Sequence, residues 1–150
     1  MAARRYDEAI AQFQKVIELH PENNGSYFGA ARAYAAKGDH AQFAEYVARH
    51  WEARGLDEFA ASMRKSFATG GFPGSLRVMI QHGLDGHLPA YDIATAFCAL
   101  GDMDGAFDQL NRSFELREST LSALEVDERF DVLRGDPRYA ELVRKIGFPE

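Results

Sequence analysis

Cysteine is almost absent from this chain: Cys98 stands alone among 150 residues. One thiol excludes an internal disulfide framework and a cysteine-based zinc site. Long apolar runs are also missing. No stretch approaches the roughly 18 residues that a membrane-spanning helix needs, so membrane insertion is not expected. The N-terminal MAARRYDEAIAQF lacks the apolar core of a signal peptide, and the expected location is cytoplasmic. Positive charge is in deficit, with 17 Lys and Arg against 23 Asp and Glu, a net charge of −6. The densest basic pairs, Arg4-Arg5, Arg64-Lys65 and Arg144-Lys145, are scattered. That argues against nucleic acid as a partner, because phosphates demand clustered cations. No segment shows the strict period-2 alternation of a strand.

What is present is organised by repetition. Lys37-Gly38-Asp39-His40, Thr69-Gly70-Gly71-Phe72 and Leu100-Gly101-Asp102-Met103 each close one apolar-patterned segment and open another, with the first glycines 32 and 31 residues apart. An interval of this size is the mark of a helix-turn-helix array. With 46% hydrophobic and 27% charged residues the chain has the composition of a soluble globular domain.

Between the turns the apolar period is helical. From Tyr6 to Leu19, Ala9, Ile10, Phe13, Val16 and Ile17 fall on one face, and His20-Pro21-Glu22-Asn23-Asn24-Gly25 ends the helix. Further helices are predicted over Ser26–Lys37, Asp39–Ala53, Glu58–Ala68 with Asp57 as its cap, Phe72–Gln81, Leu88–Leu100 and Asp102–Arg117. His82-Gly83-Leu84-Asp85-Gly86-His87 reads as a glycine-rich connection. After Arg117 the period stops. Two short helical pieces, Ser119–Val126 and Asp127–Arg134, precede a last helix opened by Asp136-Pro137, with Asp as cap and Pro at the first helical position. The tail has the size and composition of the lid that ends a repeat array.

Paired helices need small residues where they cross. Ala31, Ser62 and Ala94 supply them in the first helices, and Ala9, Ser75 and Ala106 in the second. Phe43 breaks the series, so its hairpin is expected to splay or to shift register to Ala44. The chain opens on what reads as a second helix whose first is missing, which suggests a piece of a longer protein. On that reading Ile10, Phe13 and Ile17 lie uncovered and offer a face for homo-oligomer formation.

The segment YDEAIAQFQKVIELHPEN resembles the second helix of a tetratricopeptide repeat, with Tyr6, Ala9, Phe13, Val16 and Pro21 at the family's aromatic, small and proline positions. Tyr27, Ala30, Ala31 and Tyr34, and again Ile93, Ala94 and Phe97, resemble its first helix. Phe43 and His50 depart from the pattern. The resemblance implies an all-α, right-handed α-solenoid of antiparallel hairpins forming one domain over 1–150, with repeats at about 4–22, 24–54, 56–84 and 88–118 and a cap over 119–150. A second resemblance covers the C-terminal hundred residues. The run from GLDEFAASMRKSF to VDERFDVLRGDPRYAELVRKIGFP is similar to the C-terminal sensor regions of bacterial multidomain regulators, which follow winged-helix, nucleotide-cyclase or Ser/Thr-kinase segments. Val126 to Tyr139 is its strongest part. It implies a regulatory, ligand- or peptide-sensing region.

In a tetratricopeptide stack the first helix of each pair lines a concave groove. The groove positions are then Phe28, Arg32 and Ala35; Phe59, Met63 and Ser66; and Tyr91, Thr95 and Cys98. One aromatic recurs at 28, 59 and 91. These rings either form pockets for a peptide or protein surface, or pack as core between hairpins. Arg32 either anchors a carboxylate or pairs with Asp39 or Glu45.

Catalytic signals are weak. The five histidines sit mostly at helix ends, where capping or exposure is expected, and the spacing of His82 and His87 does not put both on one helical face. Asp102, Asp104 and Asp108 lack the register of a calcium loop and suit a helix N-terminus. Gly70-Gly71-Phe72-Pro73-Gly74 lacks the Lys-Ser/Thr of a phosphate-binding loop. Cys98, among Ala and Phe, reads as a small core or groove residue. The expectation is a non-enzymatic protein-binding module with no metal, no cofactor and a protein or peptide partner.

Overall fold

A computed structural model of the chain describes residues 2–148, and these form helices and turns with no strand among them. The fold is an all-α helical repeat. Two compact units divide it, Met1–Val78 and Met79–Glu150.

In the first unit, α1 spans Ala2–Leu19, α2 Asn24–Lys37 and α3 His40–Glu52. The helical run Asp57–His82 follows and is broken at Gly71, whose φ of 62° and ψ of −154° suit glycine alone. The break leaves α4 over 57–70 and α5 over 72–82, with α5 continuing into the second unit. Asp57, expected as a cap, is instead the first residue of its helix, where its charge still suits the dipole.

Two of the three glycine turns are built alike. Gly38 sits at φ 86° and donates its N–H to the Ala35 carbonyl, while the Asp39 N–H bonds the Tyr34 carbonyl. Asp39 then caps α3 by accepting from the Gln42 N–H at 3.1 Å. Gly101, at φ 78°, and Asp102 repeat these bonds with Cys98, Phe97 and Gly105. A left-handed glycine thus satisfies the orphan carbonyls of one helix and an aspartate the orphan N–H groups of the next. The middle turn has no aspartate, and its bend falls at Gly71.

Packing of α1 corrects the expectation of an open N-terminal face. Ile10 and Ile17 are only 6% and 8% exposed. A Cβ on Gly29 of α2 would overlap the Phe13 ring, so glycine is what lets the two helices meet. Gln14 donates to the hydroxyls of Tyr34 (3.1 Å) and Tyr46 (3.2 Å), joining α1 to α2 and α3. Ile10 and Ile17 of that face are thus covered within the chain, and Phe13 is half-buried.

The Phe43 ring turns to α5 and meets Phe72 edge-on at 5.4 Å, and both Phe43 and the neighbouring Ala44 are buried. His40 also stacks on Phe72, at 3.7 Å and 6°. Phe72 is thereby held immediately after the Gly71 break.

In the second unit the expected glycine-rich connection is helical instead: Gly83–His87 forms a wide π-type turn closed by Gly86 at φ 92°. Gly83 is packed so closely that a Cβ would lie 2.7 Å from Ile93 Cγ1. Helices α6 (Ala90–Leu100) and α7 (Met103–Glu115) form a hairpin. Two 3₁₀ turns follow, Ser119–Ala123 and Glu128–Leu133, then α8 (Pro137–Ile146), capped by Asp136 and ended by Gly147.

The tail is more than a lid. Leu121, Leu124, Phe130, Leu133, Tyr139 and Leu142 share one core with Tyr91, Ala94, Phe107 and Leu110. Each such side chain contributes about 1.5–3 kcal/mol on burial, against about 5–15 kcal/mol for the net stability of a whole domain. The second unit therefore depends on its tail for its core.

Candidate functional site

The nine groove positions fall into three settings. On α2, Phe28 is buried and its ring lies against His50 of α3 at 5.2 Å, tilted by 46°. Arg32, half-buried, holds its guanidinium carbon 4.9 Å above the same ring, a cation–π contact. Ala35 is half-buried one turn on.

On α4, Phe59 is half-buried and meets Trp51 of α3 edge-on at 5.9 Å. Met63 is fully buried and belongs to the core, and Ser66 is half-buried. The rungs at 28 and 59 thus rest on two consecutive residues of α3, His50 and Trp51. His50, which stands where the repeat pattern has a small residue, is 7% exposed.

In the second unit Tyr91, Thr95 and Cys98 are all buried, and the tail covers Tyr91. The Tyr91 hydroxyl donates to Asp127 Oδ2 at 2.8 Å, and its ring takes Phe130 edge-on at 5.1 Å. Burial and the Asp127 carboxylate both push the Tyr91 pKa up. Thr95 Oγ1 donates to the Asp92 carbonyl at 2.7 Å. Burial, with Asp127 nearby, pushes the Cys98 thiol up to about 12, which leaves it an inert thiol rather than a nucleophile. Solvent reaches Arg32, Ala35, Phe59 and Ser66, all in the first unit, in part; the other five positions are buried.

Three features beside these positions have long-range partners that no local pattern announces. Arg64 of α4 grips two carboxylates of α3: Nε and Nη2 each lie 2.9 Å from Glu45, and Nη1 and Nη2 both bond Glu52. This holds the Arg64 pKa above its usual value and the Glu52 pKa below. Both carboxylates are tied, so α3 and α4 are clamped along one edge.

Glu118, directed by Arg117 at φ 55°, accepts from the backbone N–H of Ala90 (2.8 Å) and Tyr91 (3.0 Å) and from Ser113 Oγ (2.7 Å). It caps α6, which its own N-cap residue, Pro89, leaves without a side-chain bond. Asp127 takes both Tyr91 and a bidentate Arg129. Burial works upward on Asp127, yet its bonds with Arg129 and Tyr91 carry its pKa below the ordinary carboxylate value.

Among the described residues no group of three His, Cys, Asp or Glu is placed to hold a metal ion. No helix among them is long and apolar enough to cross a membrane.

The class defined by these features is an all-α, tetratricopeptide-like helical repeat. The family model for the tetratricopeptide repeat matches residues 1–65, which takes in α1, α2, α3 and the first part of α4. No curated protein and no solved structure matches the chain. Tetratricopeptide repeats generally mediate protein–protein interaction, and folds of this kind are typically non-catalytic.

Proposed function

We propose that this chain is a non-catalytic interaction module that binds a peptide or protein surface through α2 and α4 of its first unit. The observation that carries the reading is the match to the tetratricopeptide repeat over 1–65, the region that also holds three of the four partly exposed groove positions, with Ser66 immediately after it. Arg32 supplies charge and a planar donor, Phe59 an aromatic edge, and Ala35 and Ser66 room for a partner's backbone. The Arg64 clamp and the His50–Trp51 support fix these side chains before binding, so little ordering cost falls on the module.

The test is affinity capture from an extract of the source cells with the full chain, followed by mass spectrometry. Arg32→Ala with Ser66→Arg leaves Phe28 and Met63 in place. Partners captured by the wild type should be lost from the folded double variant. Unchanged capture would refute this placement of the surface.

A finer reading has the chain as the regulatory, ligand- or peptide-sensing region of a larger bacterial signalling or transcription regulator. The tail from Val126 to Tyr139, with its similarity to such regions, favours it. Sequencing the complete gene decides it: an adjoining winged-helix, cyclase or kinase segment supports the reading, and a gene that codes for none of these refutes it.

A further inference from the structure

His50 is the buried histidine of the first unit, and its surroundings are set by α2. Its Nδ1 lies 2.8 Å from the carbonyl oxygen of Asn24, the first residue of α2. A carbonyl can only accept, so the Nδ1–H donates and pins the start of α2 to the last turn of α3. On the same helix the ring packs on Phe28, and the far partner of Phe28 is the Arg32 guanidinium. Asn24, Phe28 and Arg32 are one helical turn apart in succession, so a single ring supports the α2 face.

The charged groups that act on the ring are Arg32 of α2 and Arg54 in the turn after α3, both cations. From α4, the neighbouring contact is the uncharged Phe59, made through Trp51. A proton on His50 therefore adds a buried positive charge beside two others.

We propose that His50 is an acid-sensitive pin between α2 and α3, so that its protonation loosens the start of α2 and the Phe28–Arg32 face. The consequence for binding rests on the function proposed above; the pin itself does not. Burial holds the His50 pKa below its usual value, the Asn24 carbonyl pulling the other way and Arg54 and Arg32 adding to the depression. A neutral ring in the folded state and a titrating one in the opened state mean that opening takes up a proton. Stability is then full well above the unfolded pKa of about 6.5 and is lost as pH falls below it. The opening equilibrium rises by up to about tenfold per pH unit until the native pKa is reached.

Two measurements on the full chain test this. The His50 ring resonances should titrate with a midpoint below 6.5; a midpoint at or above that value overturns the proposal. Amide exchange over residues 26–32, corrected for intrinsic rates, should lose several-fold protection between pH 7.5 and 5.5 in the wild type. It should stay level in His50→Gln, and an equal loss in both proteins overturns the proposal. If His50→Gln does not fold, the ring titration decides alone, since it needs no variant. Neither measurement needs a partner. A chain that passes both and captures nothing keeps the acid-sensitive pin and loses the binding function.

Discussion

An alanine at Gly74 would place its Cβ 2.5 Å from a backbone atom, the Ser66 carbonyl oxygen, at the turn between α4 and α5. A carbonyl in a helix cannot swing aside as a side-chain tip can. Reaching even 3.0 Å means that α5 retreats by roughly 0.5 Å, carrying Phe72 away from His40 and Phe43 in a close-packed interior. Overpacking of this kind costs about 1–3 kcal/mol, against a gain of about 0.5–1 kcal/mol from alanine over glycine in a helix. The net expectation is a loss of about 1–2 kcal/mol. Gly25 is the matched control: it lies in the first turn of α2, and a Cβ there meets nothing closer than Asn23 Oδ1 at 3.5 Å. Gly25→Ala should gain about 0.4–1 kcal/mol through the unfolded state. Urea unfolding followed by circular dichroism reads both. With a slope of about 2 kcal/mol per molar, Gly74→Ala lowers the midpoint of the first unit by roughly 0.5–1 M and Gly25→Ala raises it by a few tenths. A Gly74→Ala protein as stable as the wild type would refute the reasoning, since the helix gain alone would then have decided the outcome.

Phe130→Ala empties a fully buried site against Tyr91 and should cost about 3–5 kcal/mol, seen as an early thermal transition confined to the second unit. Glu118→Ala leaves the N–H groups of Ala90 and Tyr91 without their acceptor. It should cost about 1–3 kcal/mol, with faster amide exchange at the start of α6 as the specific readout. Asp127 has a folded pKa below its unfolded value of about 3.9, so its contribution is present above that pH and fades as pH falls through the lower, folded pKa. Acid titration of the second unit should show this loss below about pH 4, and Asp127→Asn should remove that part of the pH dependence while lowering stability at pH 7.

Gly38-Asp39 and Gly101-Asp102 were legible because everything such a turn needs is local. A left-handed glycine and an aspartate cap act within four residues, so two letters specify the end of one helix and the start of the next. The same logic located the Gly70-Gly71 turn but not its form, because without an aspartate the bend moves to the second glycine. What the period could not supply is which way a side chain turns once two helices are neighbours. Phe43 looked like a clash with α2 and points instead at α5. His50 looked like a poor substitute for a small residue, yet it bonds a carbonyl 26 positions away. Arg64 and Glu45 are 19 apart, and Glu118 and Ala90 are 28 apart. Such pairings depend on rotamer and on helix crossing, neither of which leaves a periodic trace. For the candidate site the consequence is concrete. The rung 28–59–91 was found as a pattern, but burial divides it: Phe59 reaches solvent in part, while Phe28 and Tyr91 hold helices together.

The tail bears most directly on what kind of module this is. Of the residues that made Val126 to Tyr139 distinctive, Asp127 bonds Tyr91, Arg129 and the start of a 3₁₀ turn, and Phe130 fills the core. Asp136 caps α8, Arg138 joins Asp136 to Asp104 and lies 4.4 Å over the Phe107 ring, and Tyr139 is buried with its hydroxyl donating to the Leu124 carbonyl. Every one of these side chains is committed to packing or capping within the second unit. The signature that resembles a sensor region therefore encodes packing of the second unit: two 3₁₀ turns and α8 share a core with α6 and α7, and the polar side chains named here are already bonded. A recognition site built from the same residues would have to break those bonds, at about 1–3 kcal/mol for each buried group left unpaired. The surface proposed in the first unit meets no such cost in its aromatic contacts, since Arg32 and Phe59 rest on Phe28 and Trp51 and are partly open to solvent.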